Sequence, residues 1–284
     1  MRALLILSIT LLICSCQTKE KATHGNHDHH GNHDHHGHDH QEEAVTFQNK
    51  AHEMVYNFVQ EVGDMSKLAA KKDVVYTYTY TTPDGASDIS TEKYIFDGEL
   101  SYGMYKQHER TLPNLEGTIE QGYDGQNYWL KNEGSMVSDS AALARVAFNR
   151  PTNFYWFGMY PKLLDPGLKY EYLGEKTFNG KQYDVVNVSF ESTPDKPTDI
   201  YQVHINKTSG MVDQFLFTVA DFGLMDTPLL MEVAYEKVDD LLIPTKRKYK
   251  VSTWEGDVSE APWTHVTWTD IKFNNGLTAA EFKK

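Results

Sequence analysis

Histidine at short intervals is the densest chemistry in this sequence. Residues 24–40 read HGNHDHHGNHDHHGHDH, the hexapeptide HGNHDH starting at His24 and again at His30, then a shortened HGHDH from His36. Nine of these 17 residues are histidine: His24, His27, His29, His30, His33, His35, His36, His38 and His40. Imidazole is a borderline ligand suited to first-row divalent ions, and a flexible run lets several ring nitrogens converge on one ion without a preformed pocket. Zinc, nickel or copper is therefore the expected guest, with Asp28, Asp34 and Asp39 as oxygen ligands or as partners that orient a ring. Only the neutral ring binds, so capture weakens as pH falls below about 6.5. The rest of the tract is Gly, Asn and Asp, with no apolar atoms to bury, and it reads as disordered without a ligand. A plain hydrophilic spacer is the competing reading, although spacers gain nothing from imidazole.

A second reactive residue stands upstream. Met1 and Arg2 give a positive start, Ala3 to Ile13 is an almost unbroken apolar run, and Ser15 is a small residue before Cys16. The run is too short for a membrane span, which needs about 20 residues, and reads as the core of an export signal. Ile13-Cys14-Ser15-Cys16 resembles a bacterial lipobox, in which cleavage before the cysteine is coupled to its acylation. The expected organisation is a signal peptide over 1–15, a lipidated histidine-rich tether over 16–44 and a folded body over 45–284. The lipid on Cys16 would hold the chain at a membrane of the bacterial envelope, expected to be the outer membrane. No free thiol remains, so the body stands on packing without a disulfide. Lys plus Arg number 27 against 40 Asp plus Glu, a net charge of -13, which argues against nucleic acid as a partner.

Catalytic signatures are scarce. GxSxG, P-loop and dinucleotide-glycine patterns are missing, and His52-Glu53 opens an HExxH-like phrase that ends in Tyr56. His204 and His265 fall in predicted strands, where they read either as packing residues or as part of a dispersed Asp/Glu/His hydrolase site. The body is expected to be non-enzymatic. Aromatic residues carry more: Asn153 to Tyr160 reads NFYWFGMY. Phe154, Trp156, Phe157 and Met159, with Phe148, Leu163 and Leu164, form either a packed core or the lining of an apolar cleft. Core packing predicts no cavity, and a lining predicts one of several hundred Å³. The loop from Phe222 to Pro228 is a second candidate lid.

These groups need elements to position them. Ala51, Met54, Val55, Phe58, Val59, Val62, Met65 and Leu68 fall at helical spacing and predict one amphipathic helix over about 48–70. Val75 to Tyr80 alternates Tyr with Val or Thr, a strand signal. Further strands are predicted at 92–107, 117–131, 168–174, 181–191, 199–206, 211–220, 229–238, 241–253 and 263–273. Asp124-Gly125, Asn179-Gly180 and Ser209-Gly210 are tight-turn signals, so sequence neighbours are expected to pair antiparallel, as a meander. A second helix starts near Ser138 or Asp139 and runs through Phe148, with Pro151 ending or kinking it.

Several phrases carry a resemblance: QGYDGQNYWL at 121–130, FNGKQYDVVNVSF at 178–190, YQVHINKTSGMVDQF at 201–215 and EVAYEKVDDLLIPTKRKYK at 232–250. They resemble the superfamily of periplasmic lipoprotein carriers, and more closely a family of bacterial lipoproteins of unassigned function. The resemblance implies a mainly β fold with flanking helices (α+β), in which a strongly curved antiparallel sheet makes an incomplete barrel with an N-terminal helix and a central helix pair. In the carriers the concave face receives acyl chains, so the implied partner is a lipid or acyl ligand; the chain itself is expected to be a monomer. A metal-capturing lipoprotein whose body is only a scaffold, and a scaffold that binds another protein along an open sheet edge, are the alternatives.

Overall fold

The computed structural model describes residues 45–192 and 197–284. Cys16 and the histidines of 24–40 lie outside the described residues.

Helix α1 (Lys50–Val62) starts on Asn49, whose side chain accepts from His52 N, and buries Ala51, Val55, Phe58, Val59 and Val62 as one stripe. The single helix expected over 48–70 is in fact two. Gly63 takes φ 108°, a conformation that L side chains resist, and a β-carbon there would run into Leu241. Helix α2 (Met65–Ala70) restarts on Asp64, whose carboxylate accepts from Lys67 N.

Thirteen strands then form one sheet. The first meander is β1 (Asp73–Thr81), β2 (Ser87–Ile95), β3 (Leu100–His108), β4 (Ile119–Tyr123), β5 (Tyr128–Asn132) and β6 (Ser135–Met136). The second is β7 (Lys169–Phe178), β8 (Lys181–Ser189), β9 (Ile200–Asn206), β10 (Val212–Val219), β11 (Leu224–Val238), β12 (Leu241–Val251) and β13 (Thr264–Phe273). The order is β6-β5-β4-β3-β2-β1-β13-β12-β11-β10-β9-β8-β7, antiparallel throughout. The chain thus enters the middle of the sheet, steps out to β6, crosses to the far edge at β7, and steps back until β13 pairs with β1. Among the described residues both edges stay open, and the curved sheet is an incomplete barrel with flanking helices, as the resemblance implied. The run expected as one strand over 92–107 is split by a 3₁₀ turn at Asp97–Glu99. The run over 117–131 is split at the Asp124 turn, where the Asp124 carboxylate accepts from Gln126 N and Asn127 N.

The crossover is made by α3 (Ser140–Phe157) and α4 (Met159–Lys162). Asp139 caps α3, accepting from Ala142 N at 2.8 Å. Pro151 does not end this helix; it lies inside it. Proline leaves the carbonyl four residues back, that of Ala147, without a helical donor, and both residues border the cavity described below.

Three packed clusters hold the helices to one face of the sheet. Val55 and Phe58 of α1 and Met159 of α4 pack on Val186, Val203 and Phe215. Phe154 and Phe157 of α3 pack with Leu68 on Tyr76, Tyr94 and Trp268. Ala142 and Val146 pack on Tyr105, Ile119 and Leu130. An ion pair adds to these: Arg150 of α3 and Glu92 of β2 are both fully enclosed, with Nη1 2.8 Å from Oε2 and Nη2 3.3 Å from Oε1. Glu92 also accepts from Ser90 Oγ and Tyr94 OH, and Arg150 donates to Tyr105 OH, so the carboxylate is saturated with donors. Gly103 makes the room, since a β-carbon there would stand 2.6 Å from Arg150 Nη1.

At the seam between first and last strands, the Asp73 carboxylate accepts from Asn275 N, Asn275 Nδ2, Gly276 N and Leu277 N. Burial pushes this carboxyl up, but the four donors outweigh burial and hold it below the ordinary carboxylate range.

Candidate functional site

A cavity of about 810 Å³ opens between α3 and the strands β9 to β13 and β1. Helical spacing explains how α3 builds both this wall and the core. Ala142, Val146, Arg150, Phe154 and Phe157 face the sheet, whereas Arg145, Phe148, Thr152, Tyr155 and Trp156 border the cavity. Successive residues turn about 100° around a helix, so Trp156 points about 200° away from Phe154 and about 100° from Phe157. The four residues expected to line a cleft therefore separate. Trp156 borders the cavity; Phe154 and Phe157 are packed against Tyr94 and Tyr76, and Met159 is buried in the cluster under α1. From the second candidate lid, Phe222 and Leu224 border the cavity and are 58% and 40% exposed, with the Phe222 ring 5.1 Å from Phe148.

The opposite wall comes from the strands: Tyr78, Tyr80, Tyr201, Phe217, Leu229 and Tyr249, residues that the sequence reading did not single out. The alternation over Val75 to Tyr80 already contained part of this signal, because period two puts Tyr76, Tyr78 and Tyr80 on one face. Tyr80 OH and Tyr249 OH share a hydrogen bond that ties β1 to β12 across β13.

Three arginines also reach this space: Arg110, Arg145 and Arg247. Arg110 stacks 4.0 Å above the Tyr80 ring, and its Nε lies 3.2 Å from Oδ2 of Asp88, a fully enclosed carboxylate that also accepts from Thr111. Arg145 and Arg247 form no salt bridge among the described residues. Burial pulls the affinity of both guanidinium groups for their proton below the ordinary value, and at Arg145 repulsion from Arg110 adds to it. Arg247 is only 7% exposed; it lies 3.9 Å from the Trp268 ring and 5.6 Å from that of Trp156, and its Nε has no hydrogen-bond partner among the described residues. Asp199 is at the same cavity, with its carboxyl pushed up by burial.

The histidines of the body lie elsewhere and apart. His204 is stacked on Phe178 at 4.6 Å, with Gln202 Oε1 and Gln214 Nε2 on its two ring nitrogens at 3.2 and 2.8 Å. Burial, then the charge of Lys176, lowers its pKa to about 3. His265 sits on β13 opposite Thr81 and Lys248. Strands β10, β11 and β12 intervene, so the approach of His204 to His265 that the strand prediction allowed does not occur. His108 is buried against the carbonyls of Thr111 and Gly117, and His52 stacks on Tyr170. Among the described residues no group of three or more His, Cys, Asp or Glu side chains converges to hold a metal ion. No helix among them is long and apolar enough to cross a membrane.

No family model matches the chain, and no curated protein matches it. Among solved structures it is similar to a LolA superfamily protein from Nitrosomonas europaea, at 12% identity and a TM-score of 0.46, over 85% of this chain and 99% of that one. It is also similar to a DUF1329 family protein from Desulfovibrio piger, at 15% identity and a TM-score of 0.44, over 81% of this chain and 95% of that one. The half-barrel itself rests on the strand order.

Proposed function

We propose that the chain is a non-enzymatic lipoprotein of the bacterial envelope, anchored through acylated Cys16, whose half-barrel binds an apolar ligand such as an acyl chain. The observation that carries this is the cavity of about 810 Å³, walled by aromatic side chains from both α3 and the sheet. A largely apolar cleft of that size removes water from a hydrocarbon at about 25 cal/mol per Å² of buried surface. The neutral fluorophore N-phenyl-1-naphthylamine tests it. Saturable fluorescence enhancement is expected with the natural chain, and Ala147→Trp, which fills the cavity from α3, is expected to reduce it. No enhancement, or uptake undiminished in a folded Ala147→Trp, rejects the reading.

The anchor has its own test. Cys16→Ser is expected to move the protein from membranes to the soluble fraction; retention on membranes after a high-salt wash rejects acylation at that residue. The tract over 24–40 supports a second activity of the same molecule, capture of zinc, nickel or copper close to the membrane, on the strength of its nine histidines.

A further inference from the structure

The cavity wall is aromatic and aliphatic over most of its extent, yet Arg247 brings a positive charge into it. Strand alternation explains why β11 supplies it no carboxylate. Lys246 and Lys248 pair with Glu236 and Glu232 of β11 at 3.3 and 2.8 Å, on the other face of the sheet. Arg247 is left with the faces of Trp268 and Trp156, which attract a cation but offer no lone pair to its N–H groups. A guanidinium buried this far without a counter-ion is costly, and its Nε finds no acceptor among the described residues. Arg145, also without a salt-bridge partner among them, borders the same space.

We propose that the ligand is an amphiphile of the fatty-acid class, with one carboxylate head on Arg247 and a long apolar tail along Trp156, Phe217 and Leu229. The proposal rests on the cavity being a ligand site, as argued above. A carboxylate matches the planar fork of a guanidinium and accepts from two N–H groups at once, which supplies the acceptor that Nε lacks. Ester or alcohol heads supply no charge.

The test is a fluorescence titration of the full-length chain with cis-parinaric acid and with its methyl ester. The acid is expected to bind about tenfold more tightly or better, from one buried charge-assisted pair. Arg247→Met is expected to abolish that preference while keeping ester binding. Equal binding of acid and ester by the natural chain overturns the head-group assignment and leaves the apolar cavity standing; binding of neither overturns both. A preference that persists in Arg247→Met overturns the assignment to Arg247. Should that variant fail to fold, Arg247→Gln removes the charge and keeps a polar donor, and an unchanged ratio of acid to ester overturns the proposal. A long-chain alkyl phosphate that binds more tightly than the matching carboxylate overturns the choice of head.

Discussion

His204 is held neutral inside the sheet, its ring flat against Phe178 and both nitrogens occupied by glutamine side chains. In the unfolded chain the ring titrates at its ordinary 6.5, and in the fold only at about 3. Below 6.5 the unfolded state therefore takes up a proton that the folded state refuses. This contribution to stability is complete above 6.5 and declines as pH falls toward about 3; at pH 5 the loss is about 2 kcal/mol. Asp73 adds a further loss at lower pH, since its depressed carboxyl stabilises the fold above the ordinary 3.8 and ceases to do so as pH falls through its lower folded value. Urea midpoints measured from pH 7 to 4.5 are expected to fall, and His204→Gln to flatten that slope; an equal slope in the variant rejects the assignment. Little at this scale was legible in the sequence. Lys246-Arg247-Lys248 looks like a solvated charge run, and only the pleat, with β11 supplying Glu232 and Glu236, sends the flanking lysines out and Arg247 in.

Helix α3 divides its side chains between core and cavity by angle alone. Phe157 is 4% exposed, stacked on Tyr76 at 5.1 Å and 5.2 Å from Trp268, and its truncation to Ala is expected to cost about 3 to 5 kcal/mol. Trp156 already faces open space on one side, so Trp156→Ala is expected to cost distinctly less while weakening ligand uptake. Equal losses in urea unfolding reject the distinction. The helix start near Ser138 or Asp139 was legible, because a capping residue ahead of an apolar run is a local signal, and the cap is Asp139. It did not show which aromatics of NFYWFGMY face the cavity, because the segment is aromatic on several sides and helical period cannot choose between them. The strands were more legible, since Tyr/Thr alternation and Asp-Gly or Asn-Gly turns are set within a few residues. The breaks at Gly63 and Asp97–Glu99 were not, for they depend on contacts with Leu241 and on where the next strand must pair.

For the whole molecule, the proposed metal capture over 24–40 and the proposed uptake of an apolar ligand fall on different stretches of chain. Deleting residues 24–40 is expected to remove zinc, nickel or copper binding measured by calorimetry near neutral pH and to leave the urea midpoint unchanged, because no converging set of metal ligands is present among the described residues. Equal metal uptake by the shortened chain rejects this. The seam between β1 and β13 has a different consequence, one of time. Each meander grows by pairing a strand with the one just made, but the seam joins groups as far apart as Asp73 and Asn275, 202 residues along the chain. Closing so long a loop is entropically demanding and slow compared with hairpin formation. A chain delivered from its N-terminus therefore holds β1 with one edge unpaired until almost the last residue has arrived, and the middle of the sheet is the final part to form.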